Sequence, residues 1–278
     1  QASTAAGITQ TVGITDFKLN YSRPSIKGRT VFQENSALAP YNQLWRTGAN
    51  MATTFEASTE FSFGGAKVPA GKYALFSIPS GGQWTVILNK NSNQGGTDKY
   101  QQSEDVARIL VTPSSSFFHE TFTLGFSDIT NNTAYFNISW GAVTVPVLIS
   151  LDTEVLTLSG LNKTLAEKPE DVPTLQSTSA YLLSAGKDLP QALSLADKAI
   201  GLKESVGNLW LKAQILNKMG KVAEALPIAK KALALGASGS GGAFPDYLKA
   251  QIESGISGMQ SKLPVVKEAV KAIKGKKK

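Results

Sequence analysis

Trp84-Thr85-Val86-Ile87-Leu88-Asn89-Lys90 decides how the first half of this chain folds. Trp84, Val86 and Leu88 alternate with Thr85 and Ile87, the period of two that marks a strand with one face to bury. The same alternation recurs further along. Phe122, Leu124 and Phe126 alternate with Thr121 and Thr123, and Phe136, Ile138 and Trp140 with Asn137 and Ser139. Further strands are expected at 14–21, 53–63, 72–78, 106–111 and 143–151, separated by turns such as Gly64-Gly65, Pro69-Ala70-Gly71 and Ser80-Gly81-Gly82. Some eight short strands with no helix between them predict an all-β antiparallel two-sheet sandwich over residues 1–158, ahead of a closed barrel.

Beyond a linker at 159–172 the period becomes helical, and Ala, Leu and Lys take over from Pro173 to residue 273. Gln191-Ala192-Leu193-Ser194-Leu195-Ala196-Asp197-Lys198-Ala199-Ile200 aligns with Glu224-Ala225-Leu226-Pro227-Ile228-Ala229-Lys230-Lys231-Ala232-Leu233, and Gly186 and Gly220 precede the two segments at nearly the same place. Small residues at this spacing behind a helix that ends in glycine resemble the tetratricopeptide helix pair. Two pairs are short of a stable stack, so these units are expected to lean on the sandwich or on a third pair including Tyr247 to Ile256. Ala237 to Gly242 reads as a flexible loop, and residues 274–278 as a basic tail. The fold class is therefore mixed: a β-sandwich domain followed by an all-α repeat domain.

The 278 residues suit two such domains. The net charge of +7 first suggests nucleic acid or a membrane surface. Residues 1–158 hold 10 Lys+Arg and 11 Asp+Glu, however, and the remainder 18 and 10, so the basicity belongs to the helical half. There every cation is a dispersed lysine. No basic stripe interleaved with stacking aromatics occurs, so nucleic acid is not the expected partner. No apolar run is long enough to span a bilayer. The absence of cysteine and the single histidine, His119, exclude disulfides, thiolate metal sites, a cysteine nucleophile and imidazole clusters. No Walker loop, dinucleotide fingerprint or His-Glu-x-x-His signature is present, so neither cofactor nor metal is expected. Glu56, Glu60, Glu120 and Asp128 remain as material for a carboxylate pair, with outward-facing strand positions as the plainer reading; Asp98, Glu104 and Asp105 are too scattered for a calcium loop.

Two segments are dense in residues that are expensive to place. Tyr21-Ser22-Arg23-Pro24-Ser25-Ile26-Lys27-Gly28-Arg29 follows the first expected strand, and Pro40-Tyr41-Asn42-Gln43-Leu44-Trp45-Arg46-Thr47-Gly48-Ala49-Asn50 precedes the next. A turn at Pro24 and Gly28 brings Arg23, Lys27 and Arg29 close together, where they need an anion. Trp45 and Arg46, with Asn50, supply a flat ring beside a fork donor and an amide, a platform for a sugar or carboxylate. The other reading is bracing, in which these side chains satisfy the backbone of a long irregular crossover and Trp45 plugs the core.

The Tyr-Ser-Arg-Pro, Gly-Arg, Trp-Arg-Thr-Gly-Ala-Asn and Ala-Gly-Lys-Tyr blocks, the last at 70–73, occur in the order found in the domain of unknown function 2911 family, which the chain resembles over roughly residues 8–150. That resemblance implies a β domain in an exported Gram-negative bacterial protein and supplies no reaction. The start at Gln1 agrees with a leader removed on export, and the expected location is periplasmic or extracellular. The leading functional expectation is a non-catalytic cell-envelope binding or scaffold protein, with a glycan or anionic ligand at the β domain and a protein or peptide at the helical repeats. A glycan-acting hydrolase and a structural subunit of an outer-membrane or surface assembly are the alternatives.

Overall fold

The computed structural model describes residues 3–240, 242 and 244–263. Ten strands come first: β1 (Thr4–Val12), β2 (Thr15–Arg23), β3 (Thr53–Ala57), β4 (Phe61–Phe63), β5 (Ala66–Val68), β6 (Gly71–Ile78), β7 (Trp84–Asn89), β8 (Asp105–Val111), β9 (Ser114–Ser127) and β10 (Thr133–Ser150). Six helices follow: α1 (Thr153–Glu167), α2 (Val172–Ala185), α3 (Leu189–Leu202), α4 (Val206–Lys218), α5 (Val222–Ala237) and α6 (Asp246–Lys262). The chain divides into two compact units, with the boundary between Thr157 and Leu158.

In the first unit the strands form a six-stranded sheet, β1-β2-β3-β6-β7-β8, and a four-stranded sheet, β5-β4-β10-β9, with every pair antiparallel. The expected two-sheet sandwich is the architecture found. Between the sheets lies one core of alternate residues, among them Phe17 and Leu19 of β2, Phe55 of β3, Trp84, Val86 and Leu88 of β7, and Phe122, Phe136 and Trp140 from the second sheet. Its aromatic rings meet largely edge to face.

Strand β1 is absent from the expected set, and three further details of the β unit differ from the sequence expectation. The run 53–63 is two strands in different sheets, because the chain turns a corner at Ser58-Thr59-Glu60, held by the 2.6 Å contact of the Thr15 and Thr59 hydroxyls. The runs at 136–140 and 143–151 are one long strand, β10, bent at Gly141, whose φ of 58° suits glycine. Ile87 of β7 is also buried, on the outer side of its sheet. There it packs with Ala52, Ala74 and Phe76, and Leu44 and Tyr100 from two connecting segments lie against them. Strand β7 thus buries both faces at its centre.

In the second unit, α2–α3 and α4–α5 are the two repeats. Ala192, Ala196 and Ala199 of α3 and Ala225, Ala229 and Ala232 of α5 are all buried, so the aligned alanines occupy equivalent packed faces. Gly186 (φ 65°) and Gly220 (φ 79°) close α2 and α4 in left-handed conformations. Helix α6 completes the second cluster through Ile252, Ile256 and Met259, and Trp210 of α4 lies against Gly255. The segment 159–172, read as a linker, is mostly helix: α1 runs to Glu167, started by the Asp152 carboxylate, which accepts from the Val155 N–H at 3.0 Å. The basic tail 274–278 lies outside the described residues, as does the end of the expected helical span beyond 263.

Candidate functional site

Residues 24–52, which cross from β2 to β3, contain isolated bridges but no named strand or helix. Of the seven non-glycine residues with positive φ among the described residues, five lie here: Lys27, Phe32, Asn42, Thr47 and Asn50. Such conformations cost energy and persist only where surroundings enforce them. The Tyr-Ser-Arg-Pro block does part of that work. After β2 the chain leaves the six-stranded sheet and runs along β9 of the other one. Ile26 N–H donates to Glu120 C=O and Phe122 N–H to Pro24 C=O, both at 2.9 Å.

The predicted residues separate within this frame. Half-buried Arg23 donates to the Phe122 carbonyl at 3.0 Å and to the Thr123 hydroxyl at 2.8 Å. Arg29 folds back on its own loop, onto the carbonyls of Ile26 (2.9 Å) and Ser25 (2.7 Å). Lys27 is exposed, and its backbone N–H donates to the Glu120 carboxylate at 2.7 Å. The three cations therefore share no anion of the kind the spacing suggested. Backbone carbonyls take the arginine donors, because an irregular strand extension leaves carbonyls that no ladder satisfies.

Trp45 is not an open platform. It is 6% exposed, stacked on Trp140 at 5.7 Å, and its indole N–H donates to Gly48 C=O. Trp45 and Ser77 exchange backbone hydrogen bonds, and the Thr53 hydroxyl donates to Thr47 C=O at 2.6 Å. Gly48, at φ 149°, sits where a Cβ would come within 2.8 Å of the Thr53 hydroxyl and 3.2 Å of Ser22 C=O. Arg46 donates to Asn50 C=O at 2.9 Å, and Asn50 in turn reaches the Ser22 hydroxyl at 3.0 Å. These side chains tie the crossover to itself and to β2.

What the crossover leaves open is a different place. Half-buried Tyr41, the nearly buried rings of Phe32 and Trp84, and Val143 line a cavity of about 210 Å³ that Ser80, Ser114 and Ser115 also border; the Ser80 hydroxyl donates to Gln83 C=O and the Ser114 hydroxyl to Thr144 C=O. Phe32 is held at φ 56°, a strained value for a bulky residue, and its ring meets Trp84 edge to face at 4.5 Å. Sequence reading missed this cavity. Its walls come from the crossover, the ends of β7 and β9 and the middle of β10, so no local spacing announces it; the one signal was Val31-Phe32 in an otherwise polar segment. Further along β9 the register to β10 shifts on both sides of the His119–Gly141 pair, and Phe117 and Phe118 stand 93% and 65% exposed.

The titratable groups are dispersed. Glu56 lies between Lys18 and Lys72 in the register of neighbouring strands, Glu60 pairs with Lys67 at 3.0 Å, Glu120 holds the Lys27 N–H, and Asp128 accepts from Ser127. Asp105 is tied to Asn89, Tyr100 and Arg108. Burial, reinforced by the Asp105 carboxylate, pushes the Tyr100 phenol up to about 12, and burial also raises Tyr73. Both phenols are moved away from neutrality. No cluster of three or more potential metal-ligating side chains occurs among the described residues.

The family described as Protein of unknown function (DUF2911) matches residues 3–149, a little over half of the chain. No curated protein and no solved structure matches.

Proposed function

The chain belongs to the DUF2911 family, whose description names no activity, and on that premise we propose a non-catalytic cell-envelope binding protein whose β unit holds a glycan in the Phe32–Tyr41–Trp84 cavity. The observation that carries the reading is a pocket at the crossover in which the half-buried Tyr41 ring lies beside Ser80, Ser114 and Ser115, over the buried rings of Phe32 and Trp84. The Tyr41 ring suits the C–H surface of a sugar, and the neighbouring serines suit its rim. At about 210 Å³ the space fits one ring rather than a chain of rings. Export to the periplasm or cell exterior belongs to this proposal.

The helical unit is assigned a protein or peptide partner, supported by a cleft of about 580 Å³ bordered by Pro173, Gln176, Glu204 and Asn208. For the β unit the test is a glycan array followed by calorimetric titration of any hit. Tyr41→Ala is expected to weaken binding at least tenfold with the fold intact, while Arg46→Ala leaves affinity within twofold. A bound glycan insensitive to Tyr41→Ala, or no binding across the array, overturns the assignment.

A further inference from the structure

The two sheets of the sandwich have four edge strands, and three carry devices that discourage pairing. Strand β5 is three residues long and holds Lys67. Strand β8 carries Asp105 and Arg108, with a shifted register against β7. Strand β9 is bulged twice, and residues 24–26 lie along its middle. Strand β1 has none of these. Its nine residues, Thr4-Ala5-Ala6-Gly7-Ile8-Thr9-Gln10-Thr11-Val12, pair with β2 in unbroken register, and they contain no charge and no proline. The first ionisable side chain in the sequence is Asp16. Among the described residues, no strand pairs with the other side of β1.

We propose that this edge pairs with β1 of a second copy of the chain, antiparallel about a two-fold axis, so that two six-stranded sheets become one. The proposal is independent of the glycan cavity. Ala6, Ile8 and Gln10 are half-buried on the core side of β1, while Ala5, Gly7, Thr9 and Thr11 are exposed. To keep core side against core side, the two-fold must pass beside a residue that faces its own copy, which places Ile8 opposite Ile8 or Thr9 opposite Thr9. Either register joins the two apolar stripes and sets threonines near one another on the outer side. No like charges meet, and the near balance of 10 basic and 11 acidic residues over 1–158 offers no repulsion between the β units. Self-pairing is also closed: it covers both β1 edges, and the joined sheet ends on each side in β8, whose charges and shifted register discourage further pairing.

The full chain tests this directly. Sedimentation over a wide concentration range is expected to show a mass twice that of one chain, and Thr9→Lys, which sets two ammonium groups near the axis at an exposed position, is expected to halve it with an unchanged circular dichroism spectrum. The chain has no native cysteine, so oxidation is expected to give a covalent dimer from Thr9→Cys alone in the Thr9 register, or from Thr9→Cys mixed with Gly7→Cys in the Ile8 register, because facing residues of an antiparallel pair lie within disulfide reach. Leu110→Cys on β8 is expected to form no covalent dimer on oxidation while it sediments at the mass of the wild-type chain. A monomer at every concentration overturns the proposal. So does a dimer indifferent to Thr9→Lys and not cross-linked through β1, or a monomer whose β1 edge takes up an extended peptide of another protein.

Discussion

Replacing Arg23 by alanine separates a brace from a ligand contact. The wild-type guanidinium donates to the Phe122 carbonyl at 3.0 Å and the Thr123 hydroxyl at 2.8 Å, at the point where the crossover joins the edge of the second sheet. Hydrogen bonds from a charged donor contribute roughly 1.5–3 kcal/mol each when buried and less when water can replace the donor. Because Arg23 is half-buried, about 1–1.5 kcal/mol for each bond is appropriate, or about 2–3 kcal/mol for the pair. For a unit of this size that corresponds to a fall in melting temperature of about 5–10 °C. Arg29→Ala removes two bonds within one exposed loop and is expected to cost about 1 kcal/mol or less. Lys27→Ala removes an exposed side chain and should stay within about 0.5 kcal/mol. The assay is thermal unfolding followed by near-ultraviolet circular dichroism, where Trp45, Trp84 and Trp140 report on the sandwich core. The reasoning is refuted if the three variants melt alike, or if Arg23→Ala leaves the melting temperature unchanged while abolishing binding of a ligand.

Gly255→Ala puts a methyl 2.2 Å from the Trp210 ring; it should destabilise the helical unit by about 1–3 kcal/mol, read from urea unfolding at 222 nm, with Trp210 emission moved to the red. The Tyr100 phenol should ionise near pH 12 rather than 10.0 in an ultraviolet titration. Because the folded protein holds that proton more tightly than the unfolded chain does, stability should fall as pH rises from 10 towards 12, and less steeply in Tyr100→Phe. Asp171 caps α2 by accepting from the Thr174 hydroxyl and N–H, which lowers its carboxyl below the ordinary 3.8. Its contribution is present in full above 3.8 and is lost as pH falls through the depressed value. Asp171→Ala should therefore melt lower at neutral pH, with the gap closing in acid, and Asp171→Asn should recover much of the loss by keeping a capping oxygen.

Much of the architecture was legible because it is written in local periods. The alternation around Trp84 marked a strand, and the alanines at 192, 196 and 199 with those at 225, 229 and 232 marked two packed helix faces. Neither needs knowledge of distant residues. The errors fell where a local signal had a non-local cause. Ile87 looked solvent-facing because nothing near it in sequence reveals that Leu44 and Tyr100 cover it. The run 53–63 looked continuous because its corner is held by Thr15. In the crossover, residue types correctly marked an unusual segment, but donors such as Arg23 can serve a carbonyl or a ligand equally well. Which one they serve depends on whether β9 lies alongside.

The sequence by itself determined two units of different grammar, the membership of the first in its family, and the near neutrality of that unit. Tertiary structure alone decided that Trp45 stacks inside the core rather than facing a ligand, that Arg23 meets a carbonyl of β9, and that Phe32, Trp84 and Ser114 border one cavity. The physical reason is range. Backbone periodicity and charge count act over neighbouring residues and can be read along the chain, whereas burial and hydrogen-bond partnership are set by strands that meet only when the sheets close.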